Sequence, residues 1–81
     1  MREANVEAYV LVQTEVGAAA DVSDDIGALE GVVSAEATTG PYDVIARVRA
    51  ESVDALGQLV VSRIHLIGGV TRTLTCPIVH L

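Results

Sequence analysis

The centre of the chain, residues 38–50, reads TTGPYDVIARVRA. Gly-Pro-Tyr at 40–42 predicts a turn, because proline fixes its own backbone angle and glycine tolerates unusual ones. Residues 43–50 predict a strand whose inward side chains alternate: Val44, Ala46 and Val48. Residues 32–39 predict a weaker strand before the turn, so the centre of the chain is predicted to be a β-hairpin.

The first part of the chain predicts a strand followed by a helix. Residues 5–14 read NVEAYVLVQT, in which the valines and Ala8 alternate on one face while Tyr9 and Leu11 occupy the other. Beyond Gly17, apolar residues recur at spacings of three and four: Ala19, Val22, Ile26 and Leu29. This spacing is typical of an amphipathic helix of about three turns.

The last part repeats the pattern of helix and strand. Ser52 stands where a helix N-cap belongs, and Asp54 lies in the first turn, where the helix dipole favours an anion. One apolar stripe is predicted for this helix: Val53, Leu56, Val60 and Ile64. Gly68 and Gly69 end the helix, and residues 70–81 predict the last strand.

The last strand has a mixed composition. Its inward side chains are expected to be Val70, Leu74, Cys76 and Ile78. Pro77 cannot donate to a β-ladder, so this strand is predicted to lie at an edge of the sheet or to carry a bulge.

The element order is βαββαβ, which predicts an α+β ferredoxin-like sandwich as a single domain over residues 1–81. Four antiparallel strands then carry two helices on one face, and the other face, with Tyr9 and Leu11, stays open. An aliphatic core this small is marginal alone. We therefore expect an obligate dimer through the open sheet faces, of the dimeric α/β-barrel type.

Composition argues against several classes of protein. The 81 residues hold 11 acidic residues, five arginines and no lysine, a net charge of −6. The arginines are scattered along the chain: Arg2, Arg47, Arg49, Arg63 and Arg72. Nucleic-acid binding needs clustered cations, so direct DNA binding is not expected. No apolar run is long enough for a membrane span and no signal peptide is evident, so a cytoplasmic protein is expected.

Catalytic, metal and cofactor sites find little support in the sequence. A single cysteine and two histidines make a poor metal set and permit no internal disulfide. His65 falls near the end of the second helix and His80 near the C-terminus, and neither has a serine or cysteine at motif spacing. Cys76 is interpreted as a small buried apolar residue, and no cofactor is expected.

Two polar segments are candidates for a binding site. In residues 38–43, backbone N–H groups, hydroxyls and the Asp43 carboxylate converge in a tight turn that suits a zwitterion. The alternative is an ordinary hairpin turn in which Asp43 caps local amides. The second segment places the hydroxyls of Thr71, Thr73 and Thr75 on one strand face, which is also an ordinary polar pattern. The segments form one pocket only if a loop or a neighbouring subunit brings them together.

These segments resemble those of a known family. Thr39-Gly40-Pro41-Tyr42-Asp43, followed by Val44-Ile45, resembles the Gly-x-x-Asp turn of the Lrp/AsnC effector-binding (RAM) domain. Residues 69–75, GVTRTLT, resemble the final strand of that domain with its Thr-x-Thr pair, and Gly31-Val32 matches the entry to its second strand. The similarity extends from about Val6 to Val79 in the same element order.

The resemblance implies a regulatory domain that senses amino acids. Domains of this family dimerise through their sheets, the dimers assemble into octamers or similar rings, and small effectors bind between dimers near the turn. Gly40, Tyr42 and Asp43 would then contact the charged backbone groups of the effector, and Thr73 and Thr75 would line the same cleft. The full predicted site comprises Thr39, Gly40, Pro41, Tyr42, Asp43, Thr71, Thr73 and Thr75.

The chain departs from the transcription regulators of that family in one respect. They carry an N-terminal helix-turn-helix domain, and nothing of that kind fits before Asn5. We therefore expect a stand-alone effector domain that acts on transcription through full-length relatives or another partner protein. A small dimeric α/β-barrel enzyme, of the cofactor-free monooxygenase or isomerase type, is the main alternative, and an oligomerisation module without a ligand is a third.

Overall fold

The computed structural model describes residues 5–81, so Arg2 lies outside the described residues. The elements in chain order are β1 Val6–Thr14, α1 Ala19–Gly27, β2 Val32–Ala37, β3 Val44–Ala50, α2 Val53–Leu59 and β4 Val70–Pro77. One π-helical turn, Val60–Ile64, continues α2. The predicted ferredoxin-like βαββαβ arrangement is confirmed. Among the described residues, no helix is both long and apolar enough to span a membrane.

The sheet has the strand order β2-β3-β1-β4, and every neighbouring pair is antiparallel. Alternate residues of the two central strands, β1 and β3, are fully buried: Ala8, Val10, Val12, Val44, Ala46 and Val48. Residues from both helical segments bury in the same cluster: Val22, Ile26, Leu56, Val60 and Ile64. Both helices therefore pack on one side, the covered face, and the opposite side of the sheet is the open face.

The register of β4 overturns part of the sequence interpretation. Thr14 pairs with Val70 while Gln13 pairs with Arg72, so Thr71 is an extra residue in a β-bulge. One extra residue moves every later side chain to the other face of the strand. β4 is an edge strand, as Pro77 predicts, whereas the bulge at Thr71 lies six residues from that proline and was not predicted.

Two of the four predicted inward residues of β4 point the other way. Leu74 pairs with Leu11 and is 48% exposed, and Cys76 is exposed as well. The predictions of an inward Leu74 and a buried Cys76 are therefore wrong. The bulge is the physical reason, because it breaks the period-two alternation that connects these residues to Val70.

Helix α2 begins as the sequence predicts. The hydroxyl of Ser52 accepts a hydrogen bond of 3.0 Å from the N–H of Ala55, which confirms the N-cap. The apolar stripe, however, is shorter than predicted, because Val53 is 71% exposed.

The hairpin strands are also shorter than predicted. β2 ends at Ala37 and β3 begins at Val44, so residues 38–43 belong to the connection, named here the 38–43 turn. The N–H of Thr38 donates to the carbonyl of Asp43 over 2.8 Å and closes this turn at its base. β4 likewise ends at Pro77 and does not extend to residue 81.

Candidate functional site

The 38–43 turn is held at its base and exposed at its tip. The hydroxyl of Thr38 donates to the carbonyl of Tyr42 over 2.8 Å, beside the backbone bond that closes the turn. Gly40 has a φ of +134°, a conformation that other residues rarely adopt. Thr39, Gly40 and Pro41 are exposed, whereas Tyr42 and Asp43 are half-buried. The turn therefore presents its tip to solvent on a fixed base.

The Asp43 carboxylate is tied to the central strand of the sheet. Its Oδ2 atom accepts a hydrogen bond of 2.7 Å from the N–H of Thr14, and the N–H of Asp43 donates to the carbonyl of Val12 over 2.8 Å. Asp43 thus caps an amide of β1, not one within its own turn as the alternative interpretation proposed. Its Oδ1 atom has no donor among the described residues, so half of the carboxylate is available to a cation.

Gln13 contacts both candidate segments at once. Its Nε2 group donates to the carbonyl of Pro41 over 3.0 Å, and its own carbonyl accepts from the Thr71 hydroxyl over 3.1 Å. The sequence interpretation missed Gln13 and Thr14 because they look like the polar end of an ordinary strand. No local pattern marks them, since their partners lie 28 and 58 residues away for Gln13 and 29 residues away for Thr14.

The three threonines of β4 do not share one face. Thr73 and Thr75 pair with Val12 and Val10, so they are on the covered face, where they are half-buried. Thr71 lies in the bulge, so the prediction of three hydroxyls in a row is wrong. β1 lies between Thr73 on β4 and the strand β3 that follows the 38–43 turn. Two strand spacings, about 9.5 Å, therefore separate β4 from β3. Both segments lie at the same end of the sheet, but one chain does not close them into a pocket.

His65 lies beside the first half of β4. Its ring Nε2 is 2.5 Å from the hydroxyl of Thr73, and the exposed ring directly follows the π-helical turn. An open depression of about 380 Å³ lies here, lined by His65, Val70, Thr71, Arg72 and Thr73. The sequence placed His65 only near the end of the second helix, and nothing local predicts its contact with β4.

The open face carries an ion-pair network. Glu7 Oε1 lies 2.6 Å from Arg47 Nη2, and its Oε2 lies 3.0 Å from Arg49 Nη2. The hydrogen bond from Arg47, followed by that from Arg49, lowers the pKa of Glu7, and Glu7 in turn raises the pKa of Arg47. The Arg47 guanidinium also stands 5.6 Å above the centre of the Tyr9 ring. One carboxylate therefore pairs with two guanidinium groups, and the cluster keeps a net positive charge.

An apolar row crosses the same face beside this network. Ile45 and Leu74 pair with Leu11 from either side, so the three side chains are neighbours. Leu74 is nearly half exposed, and the other two are half-buried. Tyr9, 40% exposed, adjoins the row from the same strand. The open face thus combines an apolar row with an ion-pair cluster of one carboxylate and two arginines.

The burial of the described residues bears on the enzyme alternative. Every buried residue among them is apolar, and both histidines are exposed. Within residues 5–81, no three His, Cys, Asp or Glu side chains gather into a group that could hold a metal ion. A small barrel enzyme would need a buried His, Tyr, Trp or Asn beside a sizeable cavity, and none of these residue types is buried in the described part of the chain.

Comparison with known proteins gives the family. The model of the Lrp/AsnC ligand-binding domain matches residues 7–80. The chain belongs to this family. The Lrp/AsnC assignment confirms the resemblance of the 38–43 turn and the final strand, and it makes the chain an effector-binding regulatory module. A comparison with curated protein sequences found no match.

Several solved structures have the same fold as this chain. The protein TTHA0845 from Thermus thermophilus has a TM-score of 0.87 at 30% identity, and the match covers 94% of this chain and 95% of that one. Escherichia coli AsnC has a TM-score of 0.86 at 22% identity, with 94% and 52% covered. A transcriptional regulator of Neisseria meningitidis, solved as an L-Met complex, has a TM-score of 0.82 at 18% identity, with 93% and 50% covered. This Lrp/AsnC chain therefore spans about half the length of those two proteins.

Proposed function

We propose that this Lrp/AsnC domain binds an amino acid at the 38–43 turn. The observation that carries the proposal is that only one oxygen of the Asp43 carboxylate accepts a hydrogen bond. The other, Oδ1, has no donor among the described residues. An α-ammonium group supplies such a donor. The Neisseria relative is solved with L-Met, so methionine and its apolar analogues are the first ligands to test.

The same turn has donors for the carboxylate of an amino acid. The N–H groups of Gly40 and Tyr42 have no acceptor among the described residues, and Pro41 between them has no N–H. Free backbone N–H groups in a turn are donors that an anion can accept from. A zwitterion therefore finds an acceptor at Asp43 and donors at the tip within one short segment.

A second part of the proposal is assembly through the open face. The apolar row Ile45, Leu11 and Leu74 lies beside Glu7 and its two arginines. A second copy seated on the row would bury these apolar side chains and leave the half-exposed, net positive cluster at the rim of the contact. The effector cleft also needs another copy, because β1 separates the turn from Thr73 and Thr75. We infer a homodimer that associates into an octamer or a similar ring, with effectors bound between dimers.

The third part concerns the route to transcription. The chain has a net charge of −6, and two of its five arginines are engaged by Glu7. A surface of this charge repels the phosphate backbone of DNA. We propose that the domain acts through partner proteins in the cytoplasm, full-length Lrp/AsnC regulators among them, and does not contact DNA itself.

Calorimetric titration with each of the twenty amino acids tests the proposal, with the mass in solution measured before and after by light scattering. We expect one or a few amino acids to bind at about one per chain. The matched control is Asp25→Asn, an exposed aspartate on α1, which should bind as the wild type does. The absence of binding by any amino acid at millimolar concentration would contradict the proposed function.

A further inference from the structure

Gln13 is the one described residue that makes hydrogen bonds to both segments of the proposed site. Its side-chain amide donates to Pro41 at the tip of the 38–43 turn, over 3.0 Å. Its backbone carbonyl accepts the hydroxyl of Thr71, the bulged residue of β4, over 3.1 Å. The turn and the bulge lie on opposite sides of β1, so this residue links them across the end of the central strand.

We propose that Gln13 is a positioning residue for the effector, which fixes the tip of the 38–43 turn through its side chain. The inference rests on the proposed function, because it concerns the same site. Gln13 is half-buried at the end of β1 and does not need to touch the effector. It acts through the carbonyl of Pro41, which stands between the two free N–H groups of Gly40 and Tyr42.

The tip of the turn has no other hydrogen bond to the rest of the described chain. The bonds of Thr38 and Asp43 lie at the base, and Thr39, Gly40 and Pro41 are exposed. Glycine has the largest conformational freedom to lose, so an untied tip samples many states at Gly40. An effector that needs one of these states must then order the tip itself, and that cost reduces its affinity.

The backbone contact of Gln13 serves the other segment. The bulge at Thr71 decides that Thr73 and Thr75 lie on the covered face, because one residue of shift reverses the alternation. The hydroxyl of Thr71 donates to the carbonyl of Gln13 and holds the bulge at this register position. The side-chain bond and the main-chain bond thus fix both halves of the proposed site from one residue.

The test replaces Gln13 with methionine and with lysine. Methionine has nearly the same length but no donor, whereas lysine retains a donor that can reach the carbonyl of Pro41. We expect Gln13→Met to weaken binding of the tightest of the twenty amino acids by about 3- to 10-fold, the usual effect of one hydrogen bond. Gln13→Lys should restore most of that loss. Gln58→Met, the same change at the exposed glutamine of α2, is the matched control and should have no effect.

A second measurement needs no ligand. Backbone ¹⁵N order parameters at Gly40 and Tyr42 should be lower in Gln13→Met than in wild type, while the thermal midpoint stays within about 2 °C. Unchanged order parameters overturn the inference, and so do lower order parameters with unchanged affinity. A general loss of stability with lower order parameters throughout the sheet also overturns it, because Gln13 would then be structural. If the wild type binds no amino acid, the proposed function and this inference fail together.

Discussion

The carboxylate of Asp43 accepts a hydrogen bond of 2.7 Å from the backbone N–H of Thr14, 29 residues earlier in the chain. This bond ties the 38–43 turn to the central strand of the sheet, so the turn cannot move without disturbing β1. It occupies only one carboxylate oxygen. Asp43 therefore has a structural role through Oδ2, and under the proposed function it has a ligand-binding role through Oδ1.

The two roles of Asp43 separate in two variants. Asp43→Asn keeps an oxygen that can accept from Thr14 but loses the charge, so we expect at least tenfold weaker binding of an amino acid with little change in thermal midpoint. Asp43→Ala loses both the charge and the accepting oxygen. It should therefore also reduce the free energy of unfolding by about 1–2 kcal/mol, because the Thr14 N–H loses its acceptor. Calorimetric titration and urea denaturation measure the two effects. Full affinity in Asp43→Asn would show that the charge binds no ammonium group.

The Glu7 network predicts a pH dependence. The arginines lower the pKa of Glu7 in the folded state, so its contribution to stability is present above the ordinary value of 4.5 and is lost as pH falls through the lower folded value. Wild type should therefore exceed Glu7→Gln in stability at pH 7, and the difference should vanish in acid. Urea denaturation between pH 7 and pH 3 measures it. Glu36→Gln, at an exposed residue of β2, is the control; a difference that grew in acid would contradict this assignment.

Replacement by alanine should change the stability of the protein in opposite directions at two glycines, Gly69 and Gly57. Gly69 has a φ of +98°, and a Cβ there would lie 3.0 Å from Val22 Cγ2. Gly69→Ala should therefore lower the free energy of unfolding by about 1–3 kcal/mol. Gly57 lies within α2 with nothing within 4 Å of its added Cβ, so Gly57→Ala should raise stability by about 0.5–1 kcal/mol. Thermal and urea denaturation of both variants measure these changes in stability. An unchanged free energy of unfolding in Gly69→Ala would contradict the observed packing.

Leu74 distinguishes an open-face interface from a core position. Its place beside Leu11 on the open face predicts that Leu74→Glu leaves the monomer folded but shifts the mass in solution from dimer toward the 8.4 kDa monomer. Leu66→Glu, at a 77% exposed leucine outside the sheet, should leave the mass unchanged. Light scattering with circular dichroism measures both properties. An unchanged oligomer in Leu74→Glu would contradict the proposed sheet-to-sheet contact.

The sequence predicted the elements that local chemistry specifies. The alternation in β1 and β3 identified the buried residues, because side chains of a strand point to opposite faces with a period of two. The hydroxyl of Ser52 identified the start of α2, because an N-cap acts within three residues of its own position. The family resemblance also rested on short motifs, Gly40 to Asp43 and Gly69 to Thr75, which the family model matches as part of residues 7–80.

Tertiary structure alone decided which way β4 faces and what holds the 38–43 turn. The bulge at Thr71 arises from pairing with Gln13 and Thr14, and nothing in the sequence of β4 marks it. It turned Leu74 and Cys76 outward and Thr73 and Thr75 inward. Register and long-range hydrogen bonds depend on a partner strand that lies far away in the chain. A local sequence pattern carries no information about that partner strand. Helix and strand propensity, N-capping and side-chain alternation, by contrast, depend only on residues within a few positions of each other.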